Sequence, residues 1–156
     1  MNNQPKRFEI KLNLQVAAPL LDVIKEAADS LKTHLAVSAS ATDAADDEDM
    51  AALWRDSLLE TQNAGVGALL ALFDSRFFKT GALTFDAANG AQIIRACSAV
   101  RLGVREKFLK MFSDEALEQG VRNLEKYPES VRQAMMCFMF LATIQELIIE
   151  HLGASL

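Results

Sequence analysis

The most apolar stretch of the chain, QAMMCFMFLATIQELIIEHL at residues 133–152, decides the class of fold. Its uninterrupted run of apolar or small residues covers only positions 134–144, and Gln145 and Glu146 follow at once. A helix that crosses a bilayer needs about 20 such residues. We therefore predict that this stretch is the core helix of a soluble domain, surrounded by other helices on most sides, rather than a membrane anchor.

Length and composition predict a single globular domain over residues 1–156. Hydrophobic residues make up 51% of the chain and charged residues 24%, which is ordinary for a protein with one core. The net charge of −5 disfavours nucleic acid and anionic lipid as partners, and no dense basic cluster reverses it. The N-terminal residues MNNQPKRFEI lack the apolar segment of a signal peptide, so we expect a cytoplasmic protein whose two cysteines stay reduced.

The hydrophobic pattern predicts a mainly α fold with a little β structure. Residues 8–16 alternate strictly between apolar and polar, which is typical of a strand with one buried face, and residues 82–85 are a second β-type run. A lone strand leaves backbone groups unpaired, so we expect these two runs to form a small two-stranded β-ribbon. The small and acidic residues 38–46 indicate a flexible linker within the domain.

Four long helices and one short helix account for the rest of the predicted bundle. Pro19 and Pro128 suit the first turn of a helix, and Asp86 and Ser113 are good N-caps. Gly153 ends the last helix. The predicted helices cover residues 19–37, 47–73, 87–112 and 128–152, with the short helix over 114–126.

Two glycines inside predicted helices indicate close helix packing. Gly65 lies in the middle of an apolar stripe that runs from Trp54 to Leu72, where a missing side chain lets another helix approach closely. Gly103 is assigned the same packing role.

The sequence contains no motif that predicts catalysis, a metal site or a cofactor. His34 and His151 are the only histidines, and neither has a cysteine, acidic residue or second histidine at metal-ligand spacing. The acidic residues 43–49 lack the glycine turn and spaced ligands of a calcium loop. No serine or cysteine lies in the glycine-framed turn of a nucleophile. We therefore predict no catalytic residue, no metal and no cofactor.

Two arginines do not follow the amphipathic pattern of their predicted helix, in which charged side chains face solvent. Arg101 falls inside the apolar arc of that helix, and Arg105 lies at the edge of the arc. A guanidinium keeps its charge, so one that points inward must meet carboxylates, carbonyls or a bound anion. Gln145 lies on the most apolar face of the last helix, next to Glu146. Arg101 or Arg105 therefore either forms an internal polar network with Gln145 or Glu146, or lines a pocket for a carboxylate or phosphate.

The order of these features resembles a family of uncharacterised bacterial proteins catalogued as domain of unknown function twenty-seventeen. The stretch IIRACSAVRLGVREKF resembles the family's Leu-Gly-x-Arg helix, and FLATIQELIIEHL resembles its C-terminal Gln-Glu helix. The resemblance implies a helical protein, in some relatives encoded near a Clp-protease adaptor, and it highlights Arg101, Gly103, Arg105, Gln145 and Glu146. The acidic stretch SASATDAADDEDM and the lack of a tryptophan in the last helix depart from the family pattern.

Two hypotheses of function follow from the sequence. The first is a non-catalytic protein-interaction or regulatory domain, linked through the resemblance to regulated proteolysis, that binds a protein partner or a second copy of itself. The second is a binder of a small anionic ligand, or an enzyme, that uses the arginine-lined site. A deep pocket beside Arg101 favours the second hypothesis, and a closed polar network beside an exposed apolar patch favours the first. Neither hypothesis includes nucleic acid or a membrane.

Overall fold

A computed structural model describes residues 6–36 and 48–156 of the chain. The predicted mainly helical fold with a small β-ribbon is confirmed, whereas the predicted linker, residues 38–46, lies outside the described residues. The described elements are, in chain order, β1 (Arg7–Lys11), α1 (Leu14–Leu31), α2 (Glu48–Ala71), α3 (Ser75–Thr80), β2 (Ala82–Asp86), α4 (Gly90–Phe108), α5 (Asp114–Gln119) and α6 (Glu129–Leu152).

The centre of the bundle is α4, which packs against α6, α2 and α1. One face of α4 is completely buried through Ile93, Cys97, Val100 and Val104. These residues join the buried faces of the other long helices in one continuous hydrophobic cluster. The helix that carries Arg101 is therefore the element on which the three other long helices are arranged.

The ribbon is shorter than the sequence predicts. Strands β1 and β2 are antiparallel, with Phe8 opposite Phe85 and their rings stacked 5.2 Å apart. The prediction of a strand over residues 8–16 is wrong after Lys11, because the side chain of Asn13 accepts a hydrogen bond from the backbone N–H of Gln15 and caps α1. Residues 14–16 are therefore helical, and α1 begins five residues before the predicted start at Pro19 and ends at Leu31 instead of residue 37.

The corner between α3 and β2 depends on Gly81. Its φ of 73° is left-handed, and its N–H donates to the carbonyl of Phe77 to close α3. The carbonyl of Gly81 in turn accepts a hydrogen bond from the N–H of Leu12 at 2.8 Å. A Cβ at position 81 would stand 2.3 Å from the carbonyl oxygen of Leu12, so no other residue fits without moving the chain that enters α1.

The start of α4 also differs from the prediction. The side chain of Asp86 accepts from the N–H of Asn89 while the side chain of Asn89 accepts from the N–H of Asp86, and this reciprocal pair is the pattern of a capping box with Asp86 as the cap. The regular helix begins after this turn, at Gly90 instead of residue 87. Gly90 packs tightly on α6, since an added Cβ there would lie 3.2 Å from the side chain of Ile148.

Two helix ends are earlier than predicted, and one cap is confirmed. The helix α4 ends at Phe108 rather than at residue 112. The hydroxyl of Ser113 accepts from the N–H of Ala116 and caps α5, as predicted. The short helix then ends at Gln119 instead of residue 126, because Gly120 takes a φ of 94° that breaks the helical path.

The apolar helix α6 is buried on one face only. It packs against α4, α1 and β1, and its buried residues are Val131, Ala134, Met135, Cys137, Leu141, Ile144, Ile148 and Leu152. The prediction that other helices surround it on most sides is wrong, because Met136, Met139 and Ile149 are exposed. Within the described residues, α6 and the turn after it are long and apolar enough to cross a membrane by length and composition alone. Its burial against α4 is equally consistent with the core helix that the sequence predicts.

We predict that Gly81→Ala lowers the free energy of unfolding by more than about 2 kcal/mol. A left-handed residue with a Cβ costs about 1–2 kcal/mol by itself, and the clash with the carbonyl of Leu12 adds to that cost. Chemical denaturation of both proteins measures the difference.

Gly67→Ala provides the matched control for this measurement. Gly67 lies exposed in the interior of α2, with no atom within 4 Å of the added Cβ, so the same substitution should stabilise by about 0.5–1 kcal/mol. Equal effects at the two positions would contradict the role given to Gly81.

Candidate functional site

The side chain of Arg101 lies half-buried between α4 and α6. Its Nη1 donates a hydrogen bond to Oε1 of Gln145 at 3.1 Å, and the guanidinium carbon stands 4.3 Å above the ring centre of Phe138. Its Nε is buried and has no hydrogen-bond partner among the described residues. Burial lowers the pKa of the Arg101 guanidinium below its ordinary value, while the nearby charges of Cys97 and Glu146 oppose that shift. The guanidinium is therefore held mainly by an amide and an aromatic face.

The carboxamide of Gln145 connects α6 to two successive turns of α4. Its Nε2 donates to the backbone carbonyl of Ile94 at 2.9 Å and to the hydroxyl of Ser98 at 2.7 Å, while its oxygen accepts from Arg101. All three partners lie on α4. Because a rotation or a slide of α6 would break these bonds together, Gln145 fixes the register of the central helix pair.

Glu146 and Arg105 do not take part in this network. Glu146 is exposed on the next position of α6 and acts on Arg101 through its charge. Arg105 forms an ion pair with Asp114 at the start of α5. Of the four residues singled out in the sequence, the structure thus brings Arg101 and Gln145 into direct contact. Glu146 and Arg105 lie nearby and line an open cleft together with Arg101.

This cleft is open and has a volume of about 780 Å³. Its charged lining consists of two guanidinium groups, from Arg101 and Arg105, and three carboxylates, from Asp114, Glu118 and Glu146. The carboxylates outnumber the guanidiniums, and Arg105 already has a carboxylate partner. A bound phosphate or carboxylate would therefore meet net repulsion from the groups around it.

The two glycines assigned to close packing both lie at helix crossings. Gly65 is buried where α2 meets α4, and an added Cβ would stand 3.7 Å from the Cβ of Ala96. At Gly103, an added Cβ would stand 3.5 Å from the side chain of Leu31 on α1. Both distances are ordinary van der Waals contacts, so either position has room for a methyl group but not for a long side chain.

Both cysteines lie in the interface around α4 and α6 and are free and buried. Burial raises the pKa of the Cys97 thiol to about 12, an effect that the charge of Arg101 partly opposes. Burial, together with the neighbouring Cys97, raises the pKa of the Cys137 thiol to about 12 as well. The thiolate is the nucleophilic form of cysteine, and burial disfavours it at both positions. Within residues 6–36 and 48–156, no cluster of His, Cys, Asp or Glu has the composition of a metal site.

A second groove, which the sequence does not predict, lies between α2 and α4. Its volume is about 810 Å³, and its floor includes Gly65. One wall is formed by Trp54 and Leu58 of α2, and the other by Ala99 and Leu102 of α4. Its lining is more strongly apolar than that of the arginine cleft.

The first half of α2, which supplies this wall, carries large apolar side chains in contact with solvent. Their exposed fractions are 60% for Met50, 65% for Leu53, 56% for Trp54 and 38% for Leu58. In the whole of α2 the buried residues are Gly65, Val66 and Leu69. The predicted stripe from Trp54 to Leu72 thus packs on α4 only in its second half. Its first half stands away from the core.

Gln62 connects the middle of α2 to the C-terminal end of α1. The side chain of Gln62 accepts from the N–H of Ala36 and donates to the carbonyls of Leu31 and His34, each at 2.9 Å. These bonds satisfy backbone groups that the C-terminal end of α1 leaves open. Gln62 therefore fastens α2 to the end of α1 at its midpoint. No local sequence signal identifies this contact, because its partners lie about thirty positions earlier in the chain.

The chain matches no family model, no curated protein and no solved structure.

We predict that Arg101→Met and Gln145→Met couple by more than about 0.5 kcal/mol in a double-mutant cycle of unfolding free energies. The reason is that each side chain holds the other directly, at 3.1 Å.

The cycle of Arg101→Met with Glu146→Gln is the matched control. Glu146 is exposed and borders the same cleft, so we expect that pair to be additive within about 0.5 kcal/mol. Equal coupling in both cycles would mean that charge, rather than the Gln145 amide, holds Arg101.

Proposed function

We propose that this chain is a non-catalytic protein-interaction domain that binds an amphipathic helix of a partner protein in the groove between α2 and α4. The observation that supports the proposal is the first half of α2, residues 48–61, which contains no buried side chain. A helical segment of this length is marginal in water unless tertiary packing supports it. Its exposed apolar side chains give it a surface that a partner can cover.

The spacing of these side chains suits a helical partner. Met50, Leu53, Trp54 and Leu58 follow one another at i, i+3, i+4 and i+8, which places them along one side of α2. Trp54 and Leu58 line the groove opposite Leu102 and form an apolar trough open to solvent. Met50 and Leu53 extend the exposed apolar surface of α2 beyond this trough. Troughs of this kind accept the apolar face of a partner helix. Trp54 is the expected centre of the binding energy, since tryptophan is enriched at such positions.

The arginine cleft supports the alternative of a small anionic ligand less well. Its three carboxylates oppose an anion, and Arg101 already contacts Gln145 and the ring of Phe138. An enzymatic role at this cleft lacks a positive observation. We therefore interpret the contact of Arg101 with Gln145 as a structural element that holds α4 and α6 in register.

The proposal includes a cytoplasmic location and a link to regulated proteolysis, which the family resemblance implies. A domain that binds one helix of another protein is suited to a regulatory or adaptor role. These two points concern the biological setting and are independent of the groove itself.

We predict that Trp54→Lys removes a set of proteins that the wild-type chain captures from an extract of its own source organism. The added charge would have to be buried in the apolar trough, which strongly opposes binding. Because Trp54 is largely exposed, the free energy of unfolding should change by less than about 0.5 kcal/mol. Quantitative mass spectrometry of the captured proteins provides the measurement.

Met111→Lys is the matched control, since Met111 is an equally exposed apolar residue outside the groove. It should retain the proteins that Trp54→Lys loses. If both variants capture the same proteins as the wild type, the groove is not the interaction site and the proposal is wrong.

A further inference from the structure

We infer that the helix bound in the groove between α2 and α4 is α2 of a second copy of this chain, so that two copies form a dimer with two-fold symmetry. This inference rests on the proposed function and names the partner. It starts from two features that lie side by side on one molecule. One is an apolar groove that accepts a helix, and the other is a helical segment, residues 48–61, that buries no side chain among the described residues.

The polar residues that line this groove already have hydrogen-bond partners within the chain. The carboxamide of Gln62 is used in its bonds to the end of α1, and the hydroxyl of Thr61 donates to the carbonyl of Ser57. The hydroxyl of Ser98 accepts from the amide of Gln145. A polar side chain that entered the groove would therefore leave water without gaining equivalent partners. The groove favours a helix with an apolar face.

The first half of α2 presents such a face. Trp54 and Leu58 line the groove of their own copy, and Met50 and Leu53 extend the same exposed surface. The groove and the exposed stripe thus share one wall. A second copy related by a two-fold axis would place its own stripe against this wall, and the contact would be the same on both copies. Such a contact covers both stripes and fills both grooves at once.

The charges that border the groove are complementary in this arrangement. Glu60 of α2 and Arg95 of α4 both line the groove. Both are exposed, and neither forms an ion pair within the described part of one copy. When α2 of one copy enters the groove of the other, its Glu60 meets the wall that carries Arg95. Two-fold symmetry repeats this contact, so the dimer gains two pairs of opposite charge across the interface.

The mass in solution tests the dimer. We expect sedimentation equilibrium of the wild-type chain to give twice the mass of one chain and to show dissociation on dilution between about 100 and 1 µM. The emission of Trp54, the single tryptophan, should move to longer wavelength over the same range, because its ring returns to water. Trp54→Lys should remain a monomer. Met111→Lys, an exposed control outside the groove, should dimerise like the wild type.

Two single variants test the charge pair between the copies. Glu60→Arg would place arginine against arginine across the interface, and Arg95→Glu would place glutamate against glutamate. Each variant alone should therefore dimerise at least about tenfold more weakly than the wild type, a difference of about 1.4 kcal/mol. An equimolar mixture of the two should restore the dimer, because both contacts then join opposite charges. Unfolding curves check that both variants remain folded.

The matched control is Glu150→Arg with Arg122→Glu, which makes the same changes in net charge at exposed positions outside the groove. Each of these variants should dimerise like the wild type. A wild-type chain that stays monomeric, a mixture no more dimeric than its separate variants, or a dimer that survives Trp54→Lys would each contradict the inference. If the wild type is monomeric while Trp54→Lys still loses captured proteins, the second copy is wrong as the occupant and the interaction domain stands.

Discussion

The hydrogen bonds of Gln62 determine where α2 can lie, and the rest of the surface depends on that position. The carboxamide closes the end of α1 through Leu31, His34 and Ala36. Residues of α2 after this point turn toward α4 and bury Gly65, Val66 and Leu69. Residues 48–61, before this point, bury no side chain among the described residues, and the groove opens between them and α4. Each of these bonds contributes only about 0.5–1.5 kcal/mol to stability, but together they fix the direction in which α2 leaves the end of α1.

A second set of polar contacts plays a different part at α4 and α6. The network of Arg101, Gln145 and Ser98 lies between two helices that already share a large apolar interface. Hydrophobic burial attracts these helices without specifying how they align, whereas hydrogen bonds to defined atoms of α4 specify the alignment. The stability of the pair therefore comes mainly from the apolar face of α6, and its register comes from Gln145. We therefore attribute the position of Arg101 inside the apolar arc to its structural role in this network.

The sequence predicts the elements of this fold better than their ends or their surroundings. Period-two alternation identifies β1, but the same alternation continues past Lys11, and only the cap formed by Asn13 shows that the chain has become helical. Likewise, the helical periodicity of α4 identifies Arg101, because a guanidinium within the apolar arc departs from the local alternation of apolar and polar faces. The exposure of Trp54 violates no local pattern, since its stripe is continuous with buried Leu69. Which half of a stripe is covered depends on how helices cross, and that is set by contacts distant in sequence such as those of Gln62.

We propose that the first half of α2, which buries no side chain among the described residues, is completed by a partner. Hydrogen exchange of the free protein tests this claim most directly, because it reports local opening residue by residue. The account predicts that amides of residues 48–61 exchange far faster than those of residues 93–104 in α4, and that binding of a helical partner slows the exchange of residues 48–61 selectively. Equal protection of the two segments in the free, monomeric protein would contradict it.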